Sequence, residues 1–171
     1  MPKTLDDLDA DLKAAGVTNF SAREITANRV GKRRVYIVPQ GNHYRNMIGA
    51  AVLAQKMRDL WGGALVVSTG YRPNDSKKSA HYRAKAIDLD LPRKQQTREN
   101  RDRLYFMVAR DWMQPKSEGG HWGGMGLYRT PLGRLHVDIA RPRFWKASRV
   151  HAYFKRIRAG EPLPERRDRG T

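Results

Sequence analysis

Apolar positions along this chain recur with two periods, and the switch between them sets the order of elements. Leu5, Leu8, Leu12 and Ala15 fall on one helical face. Thr4 followed by Asp6, Asp7 and Asp9 reads as a helix N-terminus, because carboxylates there complement the helix dipole, and Gly16 ends the helix. In NFSAREI, Ser21 and Glu24 have capping-box spacing. Arg34 to Val38 reads as a short strand. Asn46 to Leu60 is a strong helix: Met47, Ala50, Ala51, Ala54, Met57, Leu60 and Trp61 share a stripe, which reads as core rather than as a ligand site, and Gly62-Gly63 stops it. ALVVST (64–69) is expected to be a buried strand running into the turn Gly70-Tyr71-Arg72-Pro73-Asn74-Asp75.

The period then falls to two. From Ala84 to Leu91, Ala84, Ala86, Asp88 and Asp90 share one face, and Lys85, Ile87, Leu89 and Leu91 share the other, until Pro92 ends the strand. Thr97 to Trp112 returns to helical spacing, with Leu104, Met107, Val108 and Trp112 inward. A glycine-rich stretch (118–126) leads into Leu127-Tyr128-Arg129, and Thr130-Pro131-Leu132-Gly133 reads as a turn. Arg134 to Ile139 alternates again, setting His136 and Asp138 opposite Leu135, Val137 and Ile139. A last helix is expected from about Lys146 to Ala159. Residues 1–159 thus read as one domain, and the tail 160–171, rich in Pro, Gly and charge, as disordered.

Composition narrows the classes. The 171 residues, 39% apolar and 30% charged, fit one globular domain with a sizeable core. There is no cysteine, which excludes disulfides and thiolate sites and leaves His, Asp and Glu as metal ligands. No apolar run approaches the roughly 18 residues of a membrane span. The opening MPKTLDDLDADLK lacks the apolar core of a signal peptide, so synthesis in the cytoplasm is expected, with another route to any outside target. The net charge of +17, from 34 Lys+Arg against 17 Asp+Glu, suits an anionic partner such as nucleic acid, anionic lipid or lipopolysaccharide, or an anionic cell wall; it equally suits a plain solvated surface.

Four polar groups change the picture. Asp88 with Asp90, and His136 with Asp138, would face inward from two strands, which a core accepts only when such groups pair or bind metal. His81 lies seven residues before Asp88, where it can fold over the same face. Two imidazoles and a carboxylate are ligand types of catalytic zinc, whose open fourth position holds a water that ionises near neutral pH. The alternative is that all three are surface or hydrogen-bonded residues of a basic α+β domain.

The surrounding motifs add to this. Ser68/Thr69-Gly70-Tyr71-Arg72, Ser79-Ala80-His81 and Ala86-Ile87-Asp88-Leu89, followed by GGMGLYRTPLGRLHVDI, resemble the zinc D-alanyl-D-alanine carboxypeptidase and peptidoglycan endopeptidase family, and NFSAREI resembles the entry motif of many of its small members. The resemblance spans roughly residues 18 to 140, in order. It implies an α+β fold, with helices packed on a small antiparallel sheet that carries a zinc site. It implies Zn2+ held by His81, Asp88 and His136, Arg72 on the substrate's carboxylate or carbonyl, Ser79 binding substrate or orienting its loop, and a substrate in the peptide stem or cross-link of bacterial peptidoglycan. Carboxypeptidase, cross-link endopeptidase and L-alanyl-D-glutamate endopeptidase activities all remain open.

The departures are specific. Many members carry an acid, the general base, three residues before the last histidine ligand; here that position is Gly133. Asp138 is the first alternative base, its other role being to orient a ligand histidine. His121 is the second, for proton transfer or oxyanion contact, or else an exposed loop residue. The family's glycine three residues after the first ligand is Ala84 here. Asp90 reads as a structural hydrogen-bonding residue, and Tyr128 as lining either the cleft or the core. Small size, basicity and the missing signal peptide suit a phage-type lysin, released onto the wall or carried in a particle. Positions 141–160 hold seven Lys/Arg and no acid, a surface suited to an anionic envelope. Two other classes compete: an inactive metal-containing module that binds the wall or envelope, and a nucleic-acid-binding domain, supported by charge alone since no recognition motif is present.

Overall fold

The computed structural model describes residues 1–30, 33–118, 120, 123–128, 134–145 and 147–166. Helix α1 (Leu5–Ala14) starts at a capping box in which Thr4 and Asp7 bond each other's backbone N–H, and it buries Leu8 and Leu12. Ser21 and Glu24 form the same box at α2 (Ala22–Thr26). Strands β1 (Ala27–Val30) and β2 (Arg33–Tyr36) pair as a separate antiparallel hairpin. Helix α3 (Gly41–Trp61) begins earlier than its aliphatic stripe suggests. Tyr44 extends the stripe by one turn: it is buried, and its hydroxyl donates to Asp11 at 2.7 Å, tying α3 to α1.

The main sheet contains β3 (Val66–Thr69), β4 (Ala86–Asp90), β5 (Gly124–Leu127), β6 (Leu135–Asp138) and β7 (Arg143–Trp145), in the order β3-β4-β6-β5-β7. The expected antiparallel sheet is corrected to a mixed one: the first three pairings are antiparallel, but β7 lies parallel to β5. A second correction concerns β3. An apolar run cannot distinguish a central strand from an edge, and β3 is an edge strand with Val66 46% exposed. The central strands β4, β5 and β6 are buried along their whole length.

One face of the sheet carries Ile87, Leu89, Met125, Leu127, Leu135 and Val137 into the core, against α3, α4 (Arg98–Met113) and α5 (Ala147–Arg158). At 25 cal/mol per Å2, burying each such side chain is worth about 1.5–3 kcal/mol, so this face anchors the opposite, polar one. Thr97 caps α4, and Trp112 stacks on Phe154 of α5 with ring centroids 5.4 Å apart. Of the tail expected to be disordered, Leu163 packs on the core and the Arg166 guanidinium sits 4.9 Å from the Trp61 ring centroid; residues 167–171 lie outside the described residues. Among the described residues, no helix is long and apolar enough to cross a membrane.

Candidate metal centre

Strand register builds the site. β4 and β6 run antiparallel with Asp88 directly opposite His136 and Ala86 opposite Asp138, so period-two alternation brings all the polar groups to one face. His81 arrives from the turn before β4, closed by Ala84 N–H to the His81 carbonyl (3.1 Å) and Lys85 N–H to the Ala80 carbonyl (2.8 Å). The turn exits through Ala84 at φ +54°, the only left-handed non-glycine among the described residues. Alanine there costs roughly 1 kcal/mol relative to glycine.

His81, Asp88 and His136 converge. His81 Nε2 lies 3.2 Å from His136 Nδ1 and 3.3 Å from Asp88 Oδ1, and His136 Nδ1 lies 2.7 Å from Asp88 Oδ1. All three residues are buried, at 4–7% exposure. The outer ring nitrogens determine the tautomers. His81 Nδ1 is 2.8 Å from the Gly70 carbonyl oxygen, which only accepts, so Nδ1 carries the hydrogen. His136 Nε2 is 3.2 Å from Asp138 Oδ2, a carboxylate oxygen, so Nε2 carries it there. In the neutral rings, the inner nitrogens are therefore lone pairs, and they point at Asp88 Oδ1, a third lone pair. A proton on His136 Nδ1, which its 2.7 Å contact with Asp88 also fits, satisfies these acceptors, and so does a metal ion, which the group could hold.

Asp138 is fully buried. Its Oδ1 accepts from the backbone N–H of Gly124 (3.1 Å) and Ala140 (2.7 Å), while Oδ2 faces His136. Of its two expected roles, this geometry favours orienting the ligand histidine, since neither oxygen is turned toward the point where the three lone pairs meet. Burial works to raise the Asp138 carboxyl, but bonds from His136, Ala140 and Gly124 outweigh it and hold it below the usual range. Asp88 is likewise opposed by burial and held well below that range by His136 and His81. Burial works to lower His136, yet Asp138 and Asp88 raise it above its ordinary value.

The other expected residues fall around this centre. Ser79 Oγ accepts from His81 N–H at 3.2 Å and bonds Asp75, so it orients the loop. Arg72 donates its backbone N–H to the His81 carbonyl at 3.2 Å, while its half-exposed guanidinium pairs with Asp75 at 3.2 Å. Tyr128 is half-buried, and its hydroxyl is raised by burial and by Asp88 against the pull of Arg72, Arg134 and Arg143. Asp90 approaches Arg134 at 3.5 Å, and burial raises its carboxyl. His121 and Gly133 lie outside the described residues.

Two neighbours escaped the sequence reading. Trp145 packs edge-on against His136 with ring centroids 4.3 Å apart, and Arg143 sits 4.2 Å from the Trp145 ring centroid and 3.7 Å from Asp138 Oδ2. Both belong to β7, whose three residues, preceded by Arg141-Pro142, are too few and too charged to read as a strand; the aromatic pair Phe144-Trp145 was its signal. Their packing explains the glycines of β5. A Cβ on Gly124 would stand 2.3 Å from Asp138 Oδ2 and 2.8 Å from Trp145 Cζ3. Gly124→Ala should therefore push Asp138 off His136 and cost about 1–3 kcal/mol in chemical denaturation, with weaker metal binding; unchanged values for both would count against this packing.

No protein-family model, curated protein or solved structure matches this chain.

Proposed function

We propose that this chain is a zinc peptidase that cleaves the peptide stem or cross-link of bacterial peptidoglycan. The observation carrying this reading is the convergence of three buried ligand atoms from His81, Asp88 and His136, with both imidazoles held from behind by Gly70 and Asp138. The donor set suits zinc. Tetrahedral zinc with bonds of about 2.0–2.1 Å holds its ligand atoms roughly 3.3 Å apart; two of the separations here, 3.2 and 3.3 Å, match, and the His136–Asp88 pair at 2.7 Å would open to admit the ion. Two imidazoles and one carboxylate leave a fourth position open, the pattern of catalytic rather than structural sites. The peptidoglycan substrate rests on the motif resemblance, to which the left-handed residue at Ala84 and the crowded glycines of β5 add support.

When bound, zinc supplies Lewis acidity at the scissile carbonyl and an acidified water. The chain's own groups do the rest. Gly70 and Asp138, each bonded to an outer ring nitrogen, aim the inner nitrogens of His81 and His136 at the centre. Trp145 covers one side of His136 and excludes water from it. Arg72, at the rim, meets the substrate's carboxylate or carbonyl with a planar pair of donors. With Asp138 occupied, His121 takes the proton-transfer role in this reading.

The test is turbidity loss and amine release from purified peptidoglycan, with the protein as isolated, after chelation and after zinc is restored. Activity abolished by chelation and recovered with zinc is expected, and the new amino termini identify the bond. Zinc bound stoichiometrically, but no amines released from walls of several types, would replace this reading with a non-catalytic wall-binding module.

A further inference from the structure

One carboxylate in the loop between β3 and β4, Asp75, ties Arg72 to the turn that carries His81. The Asp75 backbone N–H donates to the Arg72 carbonyl at 3.2 Å, which folds residues 72–75 into a turn. Asp75 Oδ1 accepts from the Ser76 N–H at 2.9 Å, and Oδ2 lies 3.2 Å from a terminal nitrogen of Arg72. The Ser79 hydroxyl donates to the same carboxylate and accepts the His81 N–H at 3.2 Å. One chain of bonds thus runs from the Arg72 guanidinium through Asp75 and Ser79 to the backbone of a metal-ligand residue. Ser79 first, with Ser76 and Arg72, holds the Asp75 carboxyl below the usual carboxylate range against the effect of burial.

A long side chain that must be ordered on binding loses affinity to the entropy of ordering it. Arg72 is spared part of that loss. Its backbone N–H donates to the His81 carbonyl at 3.2 Å, and Asp75 secures its far end. The ion pair uses one terminal nitrogen. Among the described residues no other acceptor bonds the guanidinium, and the side chain is 47% exposed. Donors therefore remain for a solute.

We propose that Asp75 is a positioning residue, which holds the Arg72 guanidinium beside the His81 turn, ordered for the peptide substrate before that substrate arrives. The substrate rests on the peptidase reading; the positioning rests on the bonds of Asp75. Asp75→Asn separates the two ends of the network. The asparagine carbonyl oxygen keeps the Ser76 N–H, because an amide N–H cannot face that donor. The amide nitrogen then stands where Oδ2 met Arg72, and offers the guanidinium only hydrogens. The Ser79 hydroxyl, donor and acceptor at once, adapts and keeps its bond from His81.

The test has two readouts on the zinc-loaded full chain. The first is the order of the Arg72 Nε–H by NMR relaxation in labelled protein. The second is amine release from soluble peptidoglycan fragments, resolved into kcat and KM, beside a competitive zinc titration. Asp75→Asn should make the Arg72 Nε–H mobile and raise KM about three- to ten-fold, with kcat and zinc affinity unchanged. Asp6→Asn, which removes the same charge from the exposed first turn of α1, should change none of these. An Arg72 Nε–H equally ordered in Asp75→Asn, or an unchanged KM, would overturn the proposal. So would a fall in KM, which would make Asp75 a competitor for Arg72, or a loss of zinc affinity with KM intact, which would confine Asp75 to supporting the His81 turn. Absence of turnover in the wild type would instead remove the peptidase reading and the substrate with it, while the Arg72 resonance would still decide whether Asp75 holds the guanidinium.

Discussion

His136→Ala should abolish metal binding and lower hydrolysis by roughly three decades or more, since metal catalysis supplies several kcal/mol and each decade is about 1.36 kcal/mol. The clearest readout is stability rather than activity. A metal that binds only the folded chain stabilises it by about 2.7 kcal/mol at a hundred-fold excess over Kd. Zinc should raise the denaturation midpoint of the wild type by that increment and leave His136→Ala unmoved. The variant has a cost of its own. His136 stands 2.7 Å from Asp88 Oδ1 and 3.2 Å from Asp138 Oδ2, so its removal leaves two buried carboxylates each short of a partner. That should destabilise the metal-free chain by about 1–3 kcal/mol, and the comparison with zinc must be made within each variant. Full zinc stabilisation retained by His136→Ala would place the metal elsewhere and remove the basis of the peptidase reading.

The parts of the fold most legible in the sequence are those where one period dominates and both ends are marked. α1 and α4 begin at Thr4 and Thr97, each of which accepts a backbone N–H inside its own first turn, a local signal that needs no tertiary context. The alternation of β4 and β6 determines which side chains share a face, and with it the meeting of Asp88 and His136. What periodicity lacks is the identity of neighbours. Val66 and Val67 look like core residues, but only strand order makes β3 an edge. β1 and β7 are three or four residues long with charged or polar members, and pairing with a partner, rather than propensity, makes them strands. The parallel pairing of β7 brings Trp145 and Arg143 to the metal-centre face; the aromatic pair Phe144-Trp145 hints at a strand, but not at its partner or direction. Asp138 is the sharpest case. Spacing places it on the same face as His136, yet its role depends on which ring nitrogen it meets and which backbone groups fill its other oxygen.

Asp138→Asn separates those roles. The asparagine carbonyl oxygen can keep the bonds from Gly124 (3.1 Å) and Ala140 (2.7 Å) that Asp138 Oδ1 now accepts. Its amide nitrogen then replaces Oδ2, 3.2 Å from His136 Nε2. An amide N–H cannot face an imidazole N–H, so Nε2 must become the acceptor and the ring hydrogen must move to Nδ1. Nδ1 is the nitrogen aimed inward, 2.7 Å from Asp88 Oδ1, and once protonated it donates to that carboxylate. The centre then closes on a His136–Asp88 hydrogen bond, satisfied without any cation, and a metal has to displace a proton to enter. Metal affinity should fall about 10–100-fold, the usual effect of losing a carboxylate behind a ligand histidine, while the metal-free chain stays nearly as stable as the wild type. If Asp138 were instead the general base, the same variant would bind metal normally and lose about 10²–10⁴-fold in turnover. A competitive metal titration beside a single-turnover assay at saturating zinc distinguishes the two. Weakened affinity with turnover restored at high zinc assigns Asp138 to orienting His136, whereas intact affinity with lost turnover makes it the base.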